Sequence, residues 1–253
     1  MKAYKIITIL STFADDQLVS ENGSVIGKQD GGPAFYLNRT LKNERAFFAM
    51  KTGPKMEVQI LVTKDGEFGK VPQKPMQKGI RFSQIKTPLL LISSVLNEFD
   101  LANLSTFKGK TFLDVQGYVR NGNDFGKKKI WKPSKVVFAN IFCLKGTKEE
   151  LQNIPKKYVE TQKQKVLLIT KGKLGCEIFA FGKRYNIKPS KVVASKNTIG
   201  AGDTFFAYFV SRFAKTAKVL DSAKYAIKKT SLFLSAQNNH HHDQLFLEEI
   251  GCG

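Results

Sequence analysis

The stretch Asn197-Thr198-Ile199-Gly200-Ala201-Gly202-Asp203-Thr204-Phe205-Phe206 decides how this chain is read. It predicts a glycine-rich turn that runs straight into a strongly apolar helix, with an acid at the junction. Gly200 and Gly202 permit a tight, positive-φ backbone, so successive amide N–H groups at a helix start can converge on one anion, where the helix dipole also favours negative charge. An acid beside such a hole is a candidate proton acceptor, and the combination suits phosphoryl transfer.

Around this turn, short β-branched and apolar runs alternate with helical patterns, which predicts an α/β fold on a mainly parallel sheet. Strands are expected at residues 5–10, 45–50, 89–92, 111–115, 136–139, 166–170 and 176–181. Helices are expected at 34–42, near 98–104, and as a pair from 204 to about 237 that breaks near 215–219. Residues 57–85 carry short alternating stretches interrupted by Asp65-Gly66, Pro72, Pro75 and Gly79, and read as exposed β-structure and loops. Nothing repeats at a fixed period and no segment has linker composition, so one domain over residues 1–253 is the economical organisation.

Composition narrows the class. A chain of 253 residues with 42% hydrophobic content can bury a substantial core. No run reaches the roughly 18 to 20 apolar residues of a membrane span, and the start lacks a signal-peptide pattern, so a cytoplasmic protein is expected with no membrane partner. Cys143, Cys176 and Cys252 are widely spaced and odd in number, which argues for free thiols rather than disulfides or a zinc cluster. The net charge of +20 would attract polyanions, with one dense patch at Lys127, Lys128, Lys129, Lys132 and Lys135 around Trp131. Lysines are otherwise spread along the whole chain and no nucleic-acid-binding motif accompanies them, so a solvated surface that steers phosphates is the reading favoured over nucleic-acid binding. Gly23 to Gln29 looks superficially like a P-loop but is one residue short and lacks the hydroxyl for magnesium. Consecutive histidines at 240–242 cannot all face one ion and read as a solvated tail or loop.

The 197–203 stretch resembles the C-terminal signature of the ribokinase-like (PfkB) carbohydrate and nucleoside kinases, Asp-Thr-x-Gly-Ala-Gly-Asp, with Asn197 in place of the first Asp. Asp15-Asp16 after the first strand, the stretch Gln17 to Gln29, and the turn Gly31-Gly32-Pro33-Ala34 resemble that family's substrate Asp, small lid and helix entry in the same order. The segment Asp114 to Arg120 is similar to an Asp-x-Gln-Gly-x-x-Arg motif of an archaeal and plant myo-inositol-kinase-like branch. The resemblance implies a three-layer α/β/α fold with a central mainly parallel sheet and a small, shortened β-lid near 17–30 and 57–85. It implies Asp203 as catalytic base, with amides of Gly200, Ala201 and Gly202 as anion hole. It further implies Asp16 (Asp15 in reserve), Gly31, Gly32 and Gln116 at the acceptor, and Asn140, Thr170, Gly172 and Thr198 at the nucleotide. ATP would be co-substrate, with Mg²⁺ bound through water and phosphate rather than directly by the protein. The acceptor would be a sugar, polyol or nucleoside, and a homodimer through the lid is plausible because exposed strand edges pair.

Two departures from the family pattern keep other classes open. Matching Asn140 to the family's Asn-x-x-Glu places Cys143 where the Glu belongs, which favours a catalytically weakened nucleotide- or sugar-binding protein. The lysine patch at 127–135 favours a basic nucleic-acid-binding protein.

Overall fold

The most continuously apolar runs form the central strands, because a parallel strand covered on both faces has no solvent side to make polar. Every residue of β1 (Ile7–Ser11) is buried. The chain then forms β2 (Ala14–Val19), β3 (Val25–Gly31) and α1 (Gly32–Asn43), returns as β4 (Phe48–Thr52), and makes β5 (Met56–Thr63) and β6 (Gly66–Lys70). The two-residue strand β7 (Lys78–Gly79) precedes β8 (Leu89–Ser93), β9 (Phe99–Asp100) and β10 (Lys110–Asp114). Short helices α2 (Gln116–Val119) and α3 (Lys135–Ala139) lead to β11 (Ile141–Thr147), α4 (Lys148–Leu151), α5 (Lys156–Lys163) and β12 (Val166–Thr170). The hairpin β13 (Cys176–Ala180) and β14 (Lys183–Ile187) is followed by α6 (Ala201–Thr216) and α7 (Val219–Ile250). This computed structural model describes residues 5–20, 22–63, 66–73, 75–193 and 198–250.

The main sheet is eight-stranded, in the order β14-β13-β12-β11-β10-β8-β1-β4. Its members from β4 to β12 run parallel, and β13 and β14 close the far edge antiparallel. Alternation along each strand divides the core. Leu89, Leu91, Phe112, Cys143 and Val166 face α1, α6 and α7, whereas Leu90, Ile92, Leu113, Leu144 and Leu167 face Val119, Phe138, Leu151 and Ile154 on the other side. That is the three-layer arrangement expected. No helix among the described residues is long and apolar enough to cross a membrane.

A second, four-stranded sheet, β3-β2-β5-β6, stands beside the first as a lid over its own apolar cluster of Ala14, Met56, Val58, Ile60, Val71, Val95 and Leu96. It is smaller than the sequence suggested. Residues 75–85 leave it, since β7 pairs with β9 and Phe82 and Ile85 pack into the main core.

Two expected elements are corrected. Residues 136–139 form α3, not a strand: Ser134 caps this single turn by accepting from the Val137 N–H, and the strand begins only at Ile141. The helix expected near 98–104 is replaced by β9 and a 3₁₀ turn at Leu104–Thr106. Glu98 accepts from the Val95 and Leu96 amides at 2.7 Å each and Asp100 from the Ala102 amide, so their side chains hold backbone donors in a non-helical path. The pair at the C-terminus is found as α6 and α7, and the backbone of residues 240–242 lies within α7 rather than in a loop.

Phe112 sits at the centre of the helical face of the sheet, fully buried and edge-on to Phe142 and Phe213 at 5.5 and 5.2 Å between ring centres. Phe112→Ala should destabilise the fold by about 3–5 kcal/mol. Phe181→Ala, at a side chain 65% exposed, should change stability by less than about 0.5 kcal/mol. Urea denaturation midpoints of the two variants check this.

Candidate active site

Parallel strands deliver their ends to one edge of the sheet, and there the chemistry-bearing side chains collect. Ser93 ends β8, Asp114 ends β10, and Lys145 and Gly146 lie near the end of β11. The turn before α6 runs over this edge. Gly200 adopts φ 75°, and any side chain there would overlap the Tyr36 ring of α1, so the turn is seated directly on that helix. Asp203 falls in the first turn of α6, where its carboxylate accepts from the Ser93 hydroxyl at 3.0 Å. Burial pushes Asp203 up to about 6; the nearby Asp114 charge adds to the rise, while Lys145, Ser93 and Arg120 partly oppose it.

Lys145 is the cation that holds these acids together. Its ammonium donates to Asp114 at 2.5 Å, with both side chains almost wholly removed from solvent. It also lies 3.0 Å from where a side chain on Gly202 would begin, so it occupies the flank of the α6 N-terminus. Burial works against its charge, but Asp114, Asp203 and Glu150 together hold its pKa above the ordinary lysine value. Glu150, at the third position of α4, closes a capping box with Thr147 and is buried; burial and the Asp114 charge raise its pKa. The other Asp114 oxygen accepts from the Gln116 amide, which fixes the start of α2.

The lid supplies the opposite wall. Gly32 has φ 73°, and a side chain there would meet the Thr12 carbonyl oxygen at 2.6 Å, so only glycine makes this entry into α1. A side chain on Gly31 would collide with the Asp16 carboxylate. Strand alternation turns Asp16 inward, only 3% exposed, and Asp15 outward to an ion pair with Lys55 at 2.5 Å.

One cavity of about 270 Å³ joins the two walls. Asp16, Gly32, Gln116, Thr198, Gly200, Gly202 and Asp203 of the sequence-derived set line it, together with Arg120, Lys128 and Lys145. Thr170 and Gly172 are at the same sheet edge but not in this cavity; the Thr170 hydroxyl faces the Gly146 carbonyl at 3.5 Å. Asn140 is elsewhere. It precedes β11, at the strand's other end from Lys145, and its side-chain amide caps α3 by donating to the Val136 carbonyl. Cys143, matched to the missing Glu, is a fully buried core residue in mid-strand, so no acid is absent from the site there. Both misplacements follow from starting the strand five residues early. Lys145 and Glu150 were missed; the readable signal was a lone charge in the apolar run Ile141-Phe142-Cys143-Leu144-Lys145, since a buried lysine requires a partner. Asn197 lies outside the described residues. The lysine patch is not one surface either, since Lys128 turns into the cavity and Lys127 pairs with Asp124.

Residues 130–238 match the family model of the pfkB family carbohydrate kinases. Solved structures agree over nearly the whole chain. A pyrophosphate-dependent kinase in the ribokinase family, solved with sulfate, superposes with TM-score 0.68 at 14% identity over 90% of this chain and 95% of the other. Arabidopsis thaliana ribokinase, complexed with ribose and ATP, gives 0.69 at 14% over 92% and 93%. The Methanocaldococcus jannaschii nucleoside kinase gives 0.62 at 16% over 91% and 92%. This chain has the ribokinase-like fold. The resemblance drawn from the glycine-rich turn and the Gly31-Gly32 entry is thereby borne out. No curated protein matches the chain by sequence.

The raised pKa of Asp203 has consequences in both stability and rate. Folding binds a proton at this site between the ordinary aspartate value and about pH 6, so its contribution is favourable below that window and is lost as pH rises through 6. Asp203→Asn should therefore melt higher than the parent at pH 8, with the difference vanishing near pH 4, as read by thermal denaturation.

Proposed function

We propose that the protein is a small-molecule kinase that moves the terminal phosphoryl of ATP to a hydroxyl of a sugar, polyol or nucleoside. The single observation that carries the reading is a buried acid, Asp203, held between the Ser93 hydroxyl and the Lys145 ammonium at the N-terminal end of α6, in one cavity with Asp16. The carbohydrate-kinase match over 130–238 supports the same class. An ATP-consuming enzyme of this kind would work in the cytoplasm.

Each residue has a physical task in this mechanism. Asp16 accepts hydrogen bonds from acceptor hydroxyls and, with Gly31, Gly32 and Gln116 around it, orients the alcohol. Asp203, ionised above about pH 6, takes the proton from the attacking hydroxyl. Amides at Gly200, Ala201 and Gly202 and the Lys145 ammonium neutralise charge on the phosphoryl oxygens as it passes. Thr198 borders the donor, and Thr170 and Gly172 flank the nucleotide further along the edge. Among the described residues no group of acid, histidine or cysteine side chains converges as a metal cage, so Mg²⁺ would be held mostly by donor phosphates and water, supplying further charge neutralisation. Pyrophosphate is the second reading for the donor, favoured by Thr170 and Gly172 lying outside a cavity that three cations line. The exposed edge residues Val25 and Ile26 on β3, 50% and 69% exposed, support pairing of two lids in a homodimer.

The test is consumption of ATP or pyrophosphate with Mg²⁺ across sugars, inositols, nucleosides and phosphosugars. Asp203→Asn should lower kcat by on the order of 10²-fold or more while acceptor binding persists. An unchanged rate removes Asp203 as base. In the parent, kcat/KM should rise with pH through about 6. Ser93→Ala, which removes a hydrogen bond that favours the ionised acid, should move that limb to higher pH.

A further inference from the structure

Arg120 and Lys128 form a pair of cations with no counter-ion in the lid end of the cavity. Arg120 follows α2, and its guanidinium lies over the Phe125 ring at 4.2 Å while donating to the Val95 carbonyl at 3.3 Å. Its Nε is buried and has no hydrogen-bond partner among the described residues. Lys128 is half-buried and spends one of its three donors on the Phe125 carbonyl at 2.6 Å. An isolated bridge joins the two residues' backbones, so both head groups enter the same cavity. Among the described residues no carboxylate makes an ion pair with either. Burial lowers the pKa of each, and Arg120 lowers that of Lys128 further. Two neighbouring positive charges under a lid repel one another, which is a standing cost unless something negative sits between them.

The surroundings hold this pair in place. The Phe125 amide donates to the Gly69 carbonyl at 2.6 Å, and the Val71 amide to the Gly122 carbonyl at 2.8 Å, so the loop carrying Lys128 is stitched to lid strand β6. Phe125 packs against the lid cluster, and Val95, the Arg120 acceptor, is part of it. The pair thus belongs to the lid and Asp16 end, away from Gly202 and its own cation Lys145.

We propose that Arg120 and Lys128 bind a phosphate group already present on the acceptor, so that the substrate is a phosphorylated sugar or polyol rather than a neutral one. The inference rests on the kinase reading in taking the lid end as the acceptor end. A phosphate carries about −1.5 to −2 charges near neutrality and matches two cations. A bidentate guanidinium and a lysine point charge are the usual means of holding it.

Binding measured by calorimetry on the full chain, with no donor present, separates this inference from the kinase reading. The probes are fructose and fructose 6-phosphate, ribose and ribose 5-phosphate, myo-inositol and myo-inositol 1-phosphate, and inorganic pyrophosphate. At least one phosphorylated probe should bind about tenfold or more tighter than its neutral partner, with the preference falling as salt rises. Arg120→Gln and Lys128→Met should each bring that preference close to one, and Asp203→Asn should retain it; Lys128→Met serves if the Arg120 variant does not fold. Equal binding of neutral and phosphorylated probes, binding of none, or a preference untouched by both variants overturns the proposal. So does a loss confined to pyrophosphate, which would assign the pair to the donor. Transfer to a neutral alcohol without any phosphate preference sinks this inference and keeps the kinase; a preference without transfer does the reverse.

Discussion

Asp114, Glu150 and Asp203 converge at the carboxyl edge of the main sheet, and the buried ammonium of Lys145 makes that convergence tolerable. Carboxylates removed from water repel one another and cannot all stay ionised without a cation among them. Lys145 bonds Asp114 directly, and its charge also acts on Asp203 and Glu150. Three segments far apart in sequence are thus tied to one point: the end of β10, the end of β11 with α4, and the start of α6. The same balance leaves Asp203 near 6, where a carboxylate is ionised at neutral pH yet basic enough to accept a proton.

Close backbone approach is the second constraint. The Gly200 turn rests on Tyr36 of α1, and α1 begins at Gly32 against the Thr12 carbonyl, so the two glycine turns are packed through one helix. Asp16 and Asp203, nearly the length of the chain apart, therefore face one another across a single cavity. The lid completes the enclosure through main-chain bonds to the 121–128 loop rather than through a large apolar contact. Such a joint leaves polar groups, Arg120 and Lys128 among them, inside the closed space.

Stability and chemistry are kept apart in this molecule. Both faces of the sheet are filled by aliphatic and aromatic side chains that alternate strand by strand. The strained or charged features, meaning positive-φ glycines, buried acids and unpaired cations, collect at one edge and under the lid. A packed core can hold such a site in place because its own interactions do not depend on it.

Much of this was legible in the sequence because it depends on local signals. Apolar runs of strand length, the Gly31-Gly32 and Gly200-Gly202 turns and the apolar face after Asp203 mark the parallel sheet, the two helix entries and the acid at the α6 start. They need only short-range rules of burial, glycine conformation and helix electrostatics. Residues 136–139 and 98–104 misled because a serine cap and two acids bonding nearby amides overrode propensity, and that shift misplaced Asn140 and Cys143. The partners of Lys145, the turning of Asp16 inward and the meeting of Arg120 with Lys128 were decided only by tertiary structure. Charge pairing and desolvation act through space, and the distances that govern them exist only once separate strand ends are brought to one edge.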